Sequence, residues 1–180
     1  MKDSMPFYTI KKLYEKSYKE LYKIFDKKRI ERSKKCKARY VGVLKDGTIR
    51  FEVNSATIKG KFYNVDIKLK DLEEAKKLII DNKPLNTTQV LQLALSGDIE
   101  IHCTCPDFKY RFAYIAFNNK YGFFKETRFP KIRNPQMQGC ACKHTYSALK
   151  IMPMYFANIQ SDMIKRKILM NPKQKIKPLK

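Results

Sequence analysis

Four of the chain's five cysteines fall in two C-x-C pairs, Cys103 and Cys105 in "HCTCPDF" and Cys140 and Cys142 in "GCACKH". His144 stands two residues after the last of them. No other feature constrains the fold as much, because one ion shared by Cys105 and Cys142 would join segments separated by 36 residues. Zn²⁺ prefers a tetrahedron of soft or borderline ligands, most often Cys thiolate and His nitrogen. "DIEIHC" (98–103) reads as a strand that delivers the first pair, and Pro106 turns the chain away after it. "CKHTYSALKIM" reads as a helix, so Cys142 and His144 lie at its start, where the helix dipole favours thiolate charge. Cys103, Cys105, Cys142 and His144 are therefore the candidate ligands of one structural zinc.

Three other readings of these cysteines stay open. Cys140 could replace His144 as the fourth ligand, the pairs could form two disulfides, or the thiols could be buried without a metal. Cys36 is alone in a basic run and reads as an incidental thiol. His102 faces the opposite side of the strand from Cys103, which suits surface or supporting duty. A Cys142–His144 nucleophilic couple is disfavoured by their closeness in sequence and by the lack of an oxyanion-hole signature.

Composition points to the partners. The 180 residues suit one domain, and at 43% hydrophobic the chain can bury a core. A net charge of +22 exceeds what solubility needs and calls for an anionic partner or environment. Lysine-rich codon bias does not account for its distribution: residues 1–40 carry +9, 106–144 carry +6, 161–180 carry +6, and the rest only +1. Met1 to Ile10 is polar and broken by Pro6, unlike a signal peptide, and no apolar run approaches the ~20 residues of a membrane span. The expected setting is a reducing one, where paired cysteines more often hold metal.

Periodicity divides the chain. Residues 6–32 read as an amphipathic helix, with Ile10, Tyr14, Tyr18, Leu21 and Phe25 within about 80° of one another. Lys12, Lys16, Lys19, Lys23 and Lys27 centre on the other face. "ARYVGVLKDGTIRFEV" predicts a hairpin turning at Asp46-Gly47, and 61–69 predict a half-buried strand. Residues 71–80 predict a short helix, and 87–97 read either as a helix closed by Gly97, the preferred reading, or as a strand. Residues 106–117 predict a helix burying Phe108, Phe112, Ile115 and Ala116, and a Pro-punctuated stretch then runs to Gly139. Pro153 bends or ends the helix that begins at Cys142, and another follows.

The pattern C-x-C … C-x-H, preceded by strands and completed at a helix start, resembles the SWIM-type zinc finger. "CTCPDF…GCACKHTYSAL" (103–149) carries the likeness, and with "YRFAY" and "NP…G…CKH" it is similar to SWIM-like proteins encoded by bacteriophages, some of them virion structural components. The resemblance implies a structural zinc and binding of nucleic acid or protein, not catalysis. The spacer between the pairs is long for that family.

The expected fold is α+β: a small antiparallel sheet, a zinc-pinned SWIM-like ββα module (about 98–150, insert 106–141), an amphipathic N-terminal helix and C-terminal helices. Residues 1–36 form the basic N-terminal helix, 37–160 the body, and 161–180 a basic helix end and tail. No Walker loop, G-x-G-x-x-G or H-E-x-x-H occurs, so no enzyme is expected. The expected function is that of a structural or assembly protein, a virion or large-complex component, found in a virion or host cytoplasm. The alternative is a nucleic-acid-binding accessory factor. Expected partners are other proteins of the assembly and nucleic acid, with no membrane and no small-molecule substrate. The expected contact surface comprises Lys12, Lys16, Lys19, Lys23, Lys109, Arg111, Tyr121, Phe123, Phe124, Arg128, Lys131, Arg133, Lys173, Lys175 and Lys177.

Overall fold

In the computed structural model, residues 23–80 and 86–169 are described. They form an α+β fold around one four-stranded antiparallel sheet of order β1-β2-β3-β4: β1 Ala38–Val43, β2 Ile49–Asn54, β3 Phe62–Leu69 and β4 Ile99–Cys103. The β1–β2 hairpin turns where the sequence predicts. Gly47 adopts φ +85°, and the Asp46 carboxylate accepts from the Thr48 amide (3.2 Å) and hydroxyl (2.9 Å). Beyond this turn Ile49 pairs with Ile67 and Ile67 with Ile101, so the apolar residues of three strands share one face.

Helices cover that face. α1 (Lys23–Ser33) precedes the sheet, and α2 (Leu72–Ile80) and α3 (Thr87–Ser96) lie between β3 and β4. The Asn86 side chain caps α3 by accepting from the amides of Thr88 and Gln89, and Gly97 closes it. Gly97 is needed for space, since a Cβ there would lie 2.3 Å from the Asp71 carboxylate that receives the Asp98 amide. After the insert come α5 (Lys143–Ile151), a 3₁₀ turn at Met152–Tyr155 containing Pro153, and α6 (Phe156–Lys165). The core of Ile49, Phe51, Val65, Ile67, Leu91, Ile101, Phe112, Tyr146, Leu149 and Ile159 is almost wholly excluded from water. Each such aliphatic or Phe side chain contributes about 1.5–3 kcal/mol.

α6 runs through position 160 without a break, and Met163 and Leu169 are buried in the common core. The helix expected over 106–117 contains a π-helical turn at Phe108–Phe112 that passes into α4 (Ala113–Asn118). Here the Phe108 amide donates to the Cys105 sulfur at 3.2 Å, and the wider turn follows. Phe108, Phe112, Ile115 and Ala116 are buried as the pattern predicts. Of the helix expected over 6–32, the described part begins at Lys23. Lys12, Lys16 and Lys19 lie outside the described residues, as do Lys173, Lys175 and Lys177.

The other face of the sheet is polar. Arg50 pairs with Asp66 through both carboxylate oxygens (2.7 and 2.8 Å), and His102 opposes Asp66 across the strands. Asp66 is largely buried; burial raises its pKa, but His102 and the Arg50 guanidinium outweigh that and hold it below the usual carboxylate range. A lowered carboxylate pKa contributes stability that is present above the unfolded-state value and lost as pH falls. Asp66→Asn is therefore expected to cost about 2 kcal/mol at neutral pH, seen as a lower urea midpoint. The gap between wild type and variant should close below about pH 4; a pH-independent gap would contradict the assignment.

Candidate metal centre

The strand–insert–helix unit brings the predicted ligands together. Cys103 ends β4, Cys105 follows it in the bend before the π-turn, Cys142 caps α5, and His144 lies in the first turn of α5. The four ligand atoms all lie within 4.8 Å of one another. Their residues are 1%, 1%, 0% and 2% exposed, respectively, so the cluster is dry. In a tetrahedral site with bonds near 2.3 Å, ligand sulfurs stand about 3.8 Å apart. A small contraction of this cluster is enough to close around an ion.

Hydrogen bonding tests whether a metal fits. Both ring nitrogens of His144 are buried and lack a hydrogen-bond partner. Leaving buried polar atoms unpaired costs about 1–3 kcal/mol, so the imidazole, which lies beside the Cys142 sulfur without a regular hydrogen bond to it, suits a shared ion. Tyr63 packs against its ring at 4.8 Å between centroids and fixes it from one side. The sulfurs have outer support, since the Phe108 amide donates to Cys105 and the Thr145 hydroxyl lies 3.3 Å from the Cys142 sulfur. These four residues could hold a metal ion, and their donor set is that of a Cys₃His site.

Cys140 is not in this group. Its carbonyl accepts from the Tyr121 hydroxyl at 2.9 Å, and the alternative set of four cysteines is not assembled. None of the five cysteines is in a disulfide. Cys36 is buried against the same core, and its carbonyl accepts from Ser147 on α5 at 3.0 Å.

Packing determines how the long insert is held. Its start is tied to α1 by the ion pair of Arg29 with Asp107, which also receives Arg111 at 3.1 Å. Arg29 lies 4.6 Å from the centre of the Phe112 ring and is 6% exposed. Past α4, Lys120 takes φ +59° and the chain returns along the open edge of β4. There the Ile101 amide donates to the Tyr121 carbonyl at 2.8 Å, and Gly122 bridges Ile101 in parallel. A Cβ on Gly122 would stand 2.9 Å from the Phe117 nitrogen, so the return requires glycine. The Pro-rich remainder is organised by buried Asn134, whose amide donates to the Gln138 carbonyl (2.9 Å) and accepts from the Gln138 amide (2.9 Å).

The expected surface residues separate under this packing. Tyr121 is 1% exposed and belongs to the core, which corrects its place in the contact surface: its ring is needed beneath the Cys140 loop. Arg111 is half-buried against Asp107. Lys109, Phe124, Arg128, Lys131 and Arg133 are exposed, Phe123 is half-buried, and Lys23 is the first residue of α1. The sequence reading missed Tyr63, Arg29 and Asp107. The "CPD" triplet was a usable signal for Asp107, while nothing local marks Arg29 as its partner.

The chain matches no protein-family model, and no curated protein or solved structure matches it. Among the described residues, no helix is long and apolar enough to cross a membrane.

The sulfurs are poised unequally. Burial pushes the Cys103 thiol up. Cys105 is lowered by its hydrogen bond with Cys103 but raised further by Cys142 and by burial, so it too keeps its proton. Burial also pushes Cys142 up, yet the thiols of Cys103 and Cys105 and the His144 imidazole converge on its sulfur and bring it well below the ordinary thiol range. Thiols that hold their protons must ionise when a metal binds. Chelator-competition titrations at several pH values should show metal affinity rising with pH. An affinity independent of pH would contradict ligation by these thiols.

Proposed function

We propose that this chain is a non-enzymatic zinc-binding protein, a structural component of a larger assembly, in which the ion pins the strand, insert and helix into one rigid display surface. The observation that carries this reading is the dry cluster of three sulfurs and one orphaned imidazole. Four protein ligands complete a zinc tetrahedron and leave no position for water or substrate, unlike catalytic sites, which keep one open. Zinc is the ion of choice because thiolate and imidazole together suit it and exclude hard cations. The likeness of residues 103–149 to SWIM-type zinc fingers, and to SWIM-like phage proteins in particular, supports the role in assembly. In that setting the cationic segments and the exposed aromatics of the insert dock on neighbouring proteins.

A second reading, a nucleic-acid-binding accessory factor, is favoured by one observation. Lys109, Arg128, Lys131 and Arg133 share one groove with Tyr110 and Phe129, a mixture of cations and rings that suits phosphates and bases.

Metal analysis of the purified chain tests the first reading. One zinc per chain is expected, with a Cys103→Ser/Cys142→Ser double variant losing both the metal and the cooperative unfolding transition. A double variant that is metal-free yet fully folded would refute the structural role. The two functional readings separate on binding. An assembly component co-purifies with particle proteins and holds nucleic acid weakly at physiological salt, whereas an accessory factor keeps measurable affinity there, with a steep dependence on salt.

A further inference from the structure

The π-turn and the returning insert build a second site beside β4, whose lining includes the metal ligand Cys103 as well as His102. A cavity of about 320 Å³ lies there, lined by His102, Phe108, Phe123 and Phe124, with Lys109, Lys125 and Arg128 among its other walls. It adjoins the groove of about 410 Å³ that holds Lys131 and Arg133, and the two share Lys109, Glu126 and Arg128. Both volumes fall in the range of about 300–1,000 Å³ typical of ligand pockets. The rings of the first cavity are arranged around His102: Phe124 meets it edge-on at 4.9 Å, Phe108 edge-on at 5.8 Å, and Phe123 lies at 6.3 Å. Phe124 remains 63% exposed, so a broad ring face is open to a ligand. His102 Nδ1 lies 3.9 Å from Asp66 Oδ2.

Charge selects among planar ligands. The two linings together hold five cations and a single carboxylate, Glu126, which is engaged with Arg128 at 2.5 Å. A flat apolar ring alone would gain nothing from this field, and a simple anion would leave the aromatic seat unused. A nucleotide unit satisfies both.

We propose that the cavity around His102 and Phe124 seats one unpaired nucleobase, while the adjoining groove of Arg128, Lys131 and Arg133 takes the phosphates of the same strand. Stacking on Phe124 accepts any base, because every base has a π-face, so the site favours single strands over duplex without strong sequence preference. The proposal rests on the nucleic-acid reading and not on the metal: the zinc assignment stands or falls separately.

Fluorescence anisotropy with the zinc-loaded full chain tests it. The probes are a fluorescein-labelled oligothymidylate, an abasic strand of equal length, the corresponding duplex, thymidine monophosphate as competitor, and a labelled polyglutamate peptide. The oligothymidylate should bind about tenfold more tightly than the abasic strand. Phe124→Ala should abolish that difference while leaving abasic binding unchanged, and because Phe124 is exposed the fold should survive. Lys131→Ala should weaken both strands and lower the salt slope by about one. Competition by the monophosphate identifies a free nucleotide as a sufficient ligand, and its failure to compete identifies a strand; either agrees with the seat. Equal affinity for the normal and abasic strands would overturn the base seat and leave nucleic-acid binding in place. No binding of any strand, or tighter binding of polyglutamate, would overturn both.

Discussion

The structure depends on one convergence: three sulfurs and an imidazole from the end of β4 and the start of α5, gathered where water does not reach. Without a cation such a cluster is an energetic liability, because it concentrates buried polar atoms, two of them on His144 with no partner. With a cation it becomes a crosslink between segments separated by 36 residues of insert. Such a crosslink would fix where β4 stops, where α5 begins, and which way the intervening chain must leave and return. The π-turn, the Gly122 bridge and the Asn134 loop are local solutions to that constraint.

The same strand serves two faces. Alternation along β4 sends Cys103 and His102 to opposite sides, yet both residues border the aromatic cavity, so the metal cluster and the cavity are neighbours. The insert joins them physically: Phe108 donates its amide to Cys105 and places its ring beside His102. A disturbance of the cysteine cluster would therefore be felt at the aromatic cavity as well as in the core. The Arg29–Asp107 pair carries the coupling to α1, where a buried guanidinium is stacked on Phe112. A buried pair of this kind is a better device for fixing register than for adding stability.

Much of this was legible in the sequence, for identifiable reasons. The strands and the hairpin followed from period-2 alternation and Asp46-Gly47, which are local signals. The Cys103, Cys105, Cys142, His144 set followed from ligand chemistry and spacing, and it excluded Cys140 only once α5 had been placed. Tyr121 was misread because an aromatic beside glycine looks like a loop tip. Its burial depends on pairing with β4 across 20 positions, which no local pattern encodes. The π-turn escaped for a similar reason, since it answers to a sulfur acceptor rather than to helical periodicity. Arg29 and Asp66 became visible only when their partners, distant in sequence, were in place.

The most direct test of the central claim is X-ray absorption at the zinc edge on the purified chain. The account predicts a four-coordinate ion with three sulfur neighbours and one imidazole nitrogen at ordinary zinc–ligand distances of about 2.3 and 2.0–2.1 Å. A shell of four sulfurs would restore Cys140 in place of His144. A protein that stays folded with no bound metal would contradict the account altogether.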